Sequence, residues 1–186
     1  MAENKQQNIS EALLTFGASD LSIDILKHCS LQELLELSVD PQQARVAFRA
    51  SWALEHILLK HTELFKGIIP SLLSNYTFTD NWSSLRSYTK LWMWLLSEKN
   101  TAYKLSPEQE EQLLEKTFAI IEDNDCPVAV LVNAYDILMY LVPNHPWVAQ
   151  ELRLQLELSL EKEASAALIS RAKRLFKKLS RVKNTD

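Results

Sequence analysis

The stretch VAFRASWALEHIL, residues 46–58, has the apolar spacing of an amphipathic helix. With Val46 as position one, positions one, five, eight, nine and twelve are all apolar. At about 100° per residue these positions lie on one side of a helix. The stripe consists of Val46, Ala50, Ala53, Leu54 and Ile57. The stretch therefore predicts a helix that packs through one face.

Three later stretches fit the same template: LRSYTKLWMWLL from residue 85, VLVNAYDILMYL from residue 130 and LISRAKRLFKKL from residue 168. Position five is small in all four stretches, which lets a neighbouring helix approach closely. These small residues are Ala50, Thr89, Ala134 and Ala172, at successive separations of 39, 45 and 38 positions. A period near about 40 residues is typical of stacked helix pairs.

Helix start signals indicate a partner for each of these helices. Ser30 with Glu33, and Ser106 with Gln109, have the spacing of capping boxes. Asp40-Pro41 is predicted to open the helix of the first stretch, since proline fits the first turn of a helix. Cys126-Pro127 and His145-Pro146 are predicted to open two more helices.

Pro70 is predicted to kink a helix over residues 63–73, and a short helix is predicted over residues 9–16. The expected fold is all-α, with this N-terminal helix and about four helix pairs in a single domain, residues 1–186. The pairs are predicted at about 21–60, 62–98, 106–142 and 146–181.

The four stretches resemble the second helices of HEAT repeats, whose pattern is Val-Arg-x-x-Ala-x-x-Ala-Leu. Only the second stretch keeps the arginine, Arg86, on which the polar ladder between repeats of that family depends. RASWALEHILLKHTELF, CPVAVLVNAYDIL and SRAKRLFKKL are similar to small HEAT-like proteins of Bacteroidetes. The resemblance covers roughly residues 30–179. It implies a right-handed α-α superhelix, a HEAT/armadillo-like solenoid, whose second helices line a concave surface.

Composition narrows the function classes. The chain has 2 glycines, so a glycine-rich loop for phosphates is not expected. The net charge of -4 argues against a nucleic-acid ligand, because such proteins usually carry a basic excess that neutralises phosphates. The first ten residues are polar, no apolar run approaches a membrane span, and the two cysteines, Cys29 and Cys126, form no Cys-x-x-Cys motif. A cytoplasmic protein with reduced thiols and no membrane contact is therefore expected.

Glu55, His56 and His61 come nearest to a metal or acid–base cluster. The two histidines are five residues apart and diverge by about 140° on a helix, whereas a zinc-binding helix needs them one turn apart. No nucleophile arrangement is present either. We therefore expect no enzyme activity, no cofactor and no metal.

The last stretch and the residues directly after it are basic, and we call their cations the basic tail: Arg171, Lys173, Arg174, Lys177, Lys178, Arg181 and Lys183. Two interpretations are open. These side chains could track phosphates, or they could give a terminal repeat the polar outer face that keeps it soluble.

Positions three, seven and ten face away from the apolar stripe. In the first three stretches they include an apolar ridge: Phe48, Trp52, Leu91, Trp94, Val132 and Met139. Exposed apolar patches mark interaction sites, and Arg49 and Glu55 would flank this one. The alternative is that the ridge is buried inside the fold.

The sequence thus favours a non-enzymatic scaffold that binds a protein or peptide through the ridge. The alternative is a DNA-handling HEAT-like protein, resembling the alkylation-repair glycosylases of this architecture.

Overall fold

The computed structural model describes residues 2–15, 17, 23–161 and 165–182, and only the backbone of residues 2–7. Every regular element in these residues is helical, and they contain no strand, so the all-α prediction is confirmed. The α-helices are α1 (Ala2–Thr15), α2 (Leu31–Leu37), α3 (Ala44–Lys60), α4 (Ile69–Phe78), α5 (Trp82–Leu95), α6 (Pro107–Glu122), α7 (Val128–Leu141), α8 (Val148–Glu161) and α9 (Ala166–Leu179). Short 3-10 helices cover Ile23–Lys27 and Thr62–Phe65. None of the described helices is both long enough and apolar enough for a bilayer span.

The chain divides into two compact units, residues 1–91 and 92–186, with the division inside α5. In the first unit α3 packs against α1 and α2. In the second unit α7 packs against α6, α8 and α9, which explains why most of its residues from Val130 to Leu141 are buried. The single domain over residues 1–186 stays a prediction.

Two capping boxes begin helices where the sequence predicts them. The Ser30 hydroxyl accepts a hydrogen bond from the Glu33 backbone N–H, and the Glu33 carboxylate accepts one from the Ser30 N–H at 2.7 Å. Ser106 and Gln109 make the same reciprocal pair at the start of α6. Each box satisfies backbone donors that the first turn of a helix leaves unpaired.

The predicted kink at Pro70 is wrong. A 3-10 segment ends at Phe65, Gly67 takes a φ of 85°, and α4 begins only at Ile69. Pro70 therefore lies in the first turn, where its missing N–H removes no hydrogen bond of the helix. Glycine suits position 67 because a positive φ is strained for other residues.

Two predicted helix boundaries are also wrong. The helix of the first stretch begins at Ala44 and not directly after Asp40, because the Asp40 carboxylate stabilises the preceding turn. It accepts hydrogen bonds from the Gln42 N–H at 2.9 Å and the Gln43 side-chain amide at 3.0 Å. The N-terminal helix begins at Ala2 and not near residue 9. Its predicted last residue, Phe16, lies outside the described residues.

The apolar stripes form the cores of both units. The small residues at position five, Ala50, Thr89, Ala134 and Ala172, are all 0% exposed. Every stripe residue of the first and third stretches is buried, while Met93, Leu96 and Phe176 of the other two are half-buried. The close helix contact predicted from position five is therefore consistent with the burial in all four helices.

A buried hydrogen-bond network joins three helices of the first unit. The Tyr88 hydroxyl of α5 lies 2.5 Å from the hydroxyl of Ser38, which follows α2, and accepts a hydrogen bond from the Asn75 amide of α4 at 3.0 Å. Ser38 and Asn75 both donate to the Leu35 carbonyl. Burial raises the pKa of Tyr88 to about 12, and the hydrogen bonds to Ser38 and Asn75 oppose that rise.

We expect the first unit to lose stability at alkaline pH through Tyr88. The folded state holds the neutral phenol, so this contribution is complete below the unfolded pKa near 10 and is lost as pH rises towards 12. The loss should be about 1 kcal/mol per pH unit across that window. Urea unfolding between pH 8 and pH 12 measures it. The pH dependence should be shallower in Tyr88→Phe, and equal slopes in both proteins would contradict the assignment.

Candidate binding surface

Helix α3 presents an aromatic face opposite its core stripe. Phe48, Trp52 and His56 are four residues apart and therefore lie one above another along the helix. The rings of Phe48 and Trp52 are stacked, with centroids 5.8 Å apart and an interplanar angle of 7°. The His56 ring meets Trp52 edge-on at 5.3 Å. We call these three residues the aromatic ladder, and each of them is half-buried.

Arg49 lies beside the ladder and joins α1 to α3. Its guanidinium carbon is 5.2 Å from the centroid of the Trp52 ring, a cation–π distance. Its Nε donates a hydrogen bond to the Leu13 carbonyl at 2.9 Å. Leu13 is in the last turn of α1, where carbonyl groups lack partners within the helix. The Arg49 Nη2 is buried and has no hydrogen-bond partner. The structure therefore places this predicted binding residue in an internal contact.

Glu55 is buried and paired, which contradicts its prediction as an exposed flank of the ridge. It is 6% exposed. Its carboxylate accepts hydrogen bonds from the Lys90 ammonium at 2.6 Å and the Ser87 hydroxyl at 2.8 Å, both on α5. A buried carboxylate needs such partners to offset its lost hydration. Glu55 thus links α3 to α5 and is not available to a partner.

The ridge is only partly exposed. Leu91 is 1% and Val132 7% exposed, so at these two positions the alternative of a ridge buried inside the fold applies. Trp94 and Met139, in the second unit, are half-buried. Side-chain angles on one helix locate the stripe that packs best, but they do not show how far neighbouring helices cover the opposite side.

The second unit contains an ion cluster around a buried carboxylate. It shows what two arginines of the basic tail bind within the fold. The Asp136 carboxylate of α7, 4% exposed, binds the guanidinium groups of Arg171 and Arg174 on α9. Arg171 also donates to the Val132 carbonyl at 3.2 Å. Burial lowers the pKa of Arg171, and the nearby charge of Arg174 lowers it further. These two arginines therefore stabilise the fold.

The other described cations of the tail, Lys173, Lys177, Lys178 and Arg181, are all exposed. The Lys178 ammonium lies 5.6 Å from the centroid of the Tyr140 ring. Lys183 lies outside the described residues.

His145 and Cys126, which precede two of the predicted helix-opening prolines, make contacts within the second unit. His145 Nε2 is 2.8 Å from a Glu110 carboxylate oxygen, and the Asn144 amide donates to the other oxygen at 2.8 Å. These contacts fasten the α7–α8 connection to α6. Burial, and then the negative charge of Asp123, raise the pKa of the Cys126 thiol to about 12, which disfavours the reactive thiolate. Within the described ranges, no three His, Cys, Asp or Glu side chains are grouped as metal ligands would be.

A second apolar surface, which the repeat template does not predict, lies on α8. Trp147, Leu154 and Leu158 are 58%, 46% and 53% exposed. The signal for it is the alternation of leucines in LRLQLELSL, residues 152–160. On a helix, residues two apart lie about 200° from each other, so alternate leucines must occupy two opposite sides.

Comparisons with protein-family models, with curated proteins and with solved structures give no match to this chain. The resemblance to HEAT repeats therefore stays a prediction that rests on the residues quoted above.

Proposed function

We propose that this chain is a non-enzymatic, HEAT-like helical-repeat protein that binds a protein or peptide through the aromatic ladder of α3. The observation that carries the proposal is the stack of Phe48 on Trp52, which leaves two large, partly exposed rings opposite the core stripe. Tryptophan and phenylalanine are enriched at binding interfaces. Rings already held by stacking and by Arg49 lose little side-chain entropy when a partner binds.

The repeat assignment is supported by an acid–cation contact of one type in both units, although it uses position ten of the first stretch and position seven of the third. In the first unit, Glu55 of α3 binds Lys90 of α5. In the second unit, Asp136 of α7 binds Arg171 of α9. The residues of each pair are separated by 35 positions. In each unit a buried acid on one second helix thus pairs with a cation on the next second helix.

A DNA-handling function is the second candidate, and the exposed Lys173, Lys177 and Arg181 favour it. The net charge of -4 opposes it. The binding of Arg171 and Arg174 to Asp136 also opposes it, because it removes two cations from a phosphate-tracking face. We therefore rank protein binding first.

Trp52→Ala should weaken binding without unfolding the protein. Peptides selected from a random library against the whole chain serve as the probe, and their affinity should fall by about tenfold or more in the variant. The free energy of unfolding should fall by less than about 2 kcal/mol, because the ring is half-buried and a core truncation costs about 3–5 kcal/mol.

The matched control is Trp147→Ala, which removes an exposed indole from the second unit. It should leave the affinity of ladder-directed peptides unchanged. If Trp52→Ala costs as much stability as a core truncation, or if no selected peptide distinguishes the two variants, the ladder is internal packing and the proposal fails.

A further inference from the structure

The outer face of α8 is apolar although it faces solvent. Trp147 directly precedes α8. Leu154 follows Trp147 by seven residues, and Leu158 follows Leu154 by four, so the three side chains fall on one side of the helix. The opposite side is the packed one, where Val148, Leu152 and Leu156 are 0% exposed. We call the exposed set the α8 stripe.

Helix α6 extends this stripe. The Phe118 ring of α6 stacks on Trp147, with centroids 5.7 Å apart and an interplanar angle of 22°. Stacking fixes the orientation of the indole even though more than half of Trp147 is exposed. From Trp147 to Leu158 the stripe runs about 16 Å along the axis, or three helical turns. An apolar surface of this length and shape matches one face of another helix.

Acidic side chains border the stripe on both helices. On α8, Glu151 lies one turn from Trp147 and from Leu154, and Glu161 lies one turn beyond Leu158. On α6, Glu115 and Glu122 lie one turn on either side of Phe118. Glu115, Glu122 and Glu161 are exposed, whereas Glu151 is half-buried and accepts a hydrogen bond from the Gln155 amide at 3.0 Å.

Few cations offset this charge. The cations within the α6 and α8 sequences are Lys116 and Arg153. Lys116 lies about 160° from Phe118, and Arg153 lies about 100° from Leu154. The charges that α6 and α8 themselves place along the stripe are therefore mainly negative.

We propose that the α8 stripe is a docking site for a basic amphipathic helix of a partner protein. Leucines or other large apolar side chains on such a helix would cover Trp147, Leu154 and Leu158. Its lysines or arginines would face the glutamates. A second copy of the chain fits less well, because a symmetric contact places the same patch on both sides and would bring the two acidic borders together. The same charge opposes nucleic acids and anionic membranes.

The test uses a labelled synthetic peptide of about 16 residues, with leucines on one helical face and lysines on the other, and the full chain. Fluorescence anisotropy should show saturable binding. The Kd should rise by about tenfold or more in Leu158→Ser and, independently, in Trp147→Ala, since each removes an anchor of the stripe. Ile169→Ser, which removes an exposed apolar side chain from α9, is the matched control and should bind like the parent chain.

Charge is tested separately. The same peptide with glutamates in place of lysines should not bind, and the Kd of the lysine peptide should rise with salt because exposed charges are screened. Thermal unfolding should give midpoints within about 4 °C of the parent chain for all three variants, because partly exposed side chains contribute little to stability.

The proposal is overturned if the lysine peptide does not bind, or if it binds the stripe variants and the parent chain equally. It is also overturned if sedimentation shows a dimer of the parent chain that Leu158→Ser dissociates, since the occupant would then be a second copy. Trp52→Ala should not affect this peptide, so a failure here is separate from a failure of the proposed function.

Discussion

Replacing Asp136 by alanine should lower the free energy of unfolding by about 3 kcal/mol. The substitution leaves the guanidinium groups of Arg171 and Arg174 without their shared carboxylate. Arg171 is the more affected of the two, because its side chain is 22% exposed and that of Arg174 is 53% exposed. Arg174 can turn towards water, which keeps the cost near the lower end of the range for a broken buried ion pair.

Urea unfolding monitored by circular dichroism measures this cost. The double variant Asp136→Leu, Arg171→Met should be more stable than Asp136→Ala, because apolar side chains of similar volume can replace a buried ion pair at little cost. Glu157→Ala, on the exposed part of α8, is the control and should change stability by no more than about 0.5 kcal/mol. A cost below about 1 kcal/mol for Asp136→Ala would mean that the cluster does not hold α9 against α7.

Ala50→Leu should cost about 3 kcal/mol, the upper part of the range for overpacking. Ala50 is 0% exposed on the core stripe of α3, so the added carbon atoms must displace neighbouring side chains or backbone. Ala134→Leu and Ala172→Leu should behave in the same way, because both residues occupy position five and are also 0% exposed.

Ala44→Leu provides the matched control. It makes the same change at the exposed first residue of α3 and should shift the free energy of unfolding by no more than about 0.5 kcal/mol. Chemical denaturation of the four variants measures the free energy of unfolding that each substitution costs. If Ala50→Leu were as harmless as Ala44→Leu, a small residue at position five would not be required for close packing.

The features that the sequence predicts correctly depend on interactions between near neighbours along the chain. A capping box joins residues three positions apart, as in Ser30 with Glu33, so four letters of sequence contain the whole interaction. The core stripes depend only on the angle between successive residues of a helix. The failure at Pro70 is also local. A proline that breaks one helix and a proline that opens the next differ only in what precedes them, here Gly67 with its positive φ.

The candidate site depends on residues far apart in the chain, and it was predicted less well. Glu55 was expected at the surface because nothing near it in sequence indicates that Lys90, 35 residues later, would bind it. Leu91 and Val132 satisfy the ridge pattern, yet their burial depends on other helices. The α8 stripe also depends on contacts between helices. Its leucines alternate along the chain, and only the packing shows that Leu152 and Leu156 fill the core while Leu154 and Leu158 remain outside.

The alternating leucines of α8 also affect what happens when that helix unfolds. As a helix, α8 separates the five leucines from Leu152 to Leu160 between its two sides. As an extended strand, the same segment would place all five leucines on one face, since side chains alternate with a period of two. Such a face on an unpaired strand promotes pairing between molecules. Unfolding of α8 therefore creates an aggregation-prone segment. A partner bound to the α8 stripe would also protect the chain against aggregation.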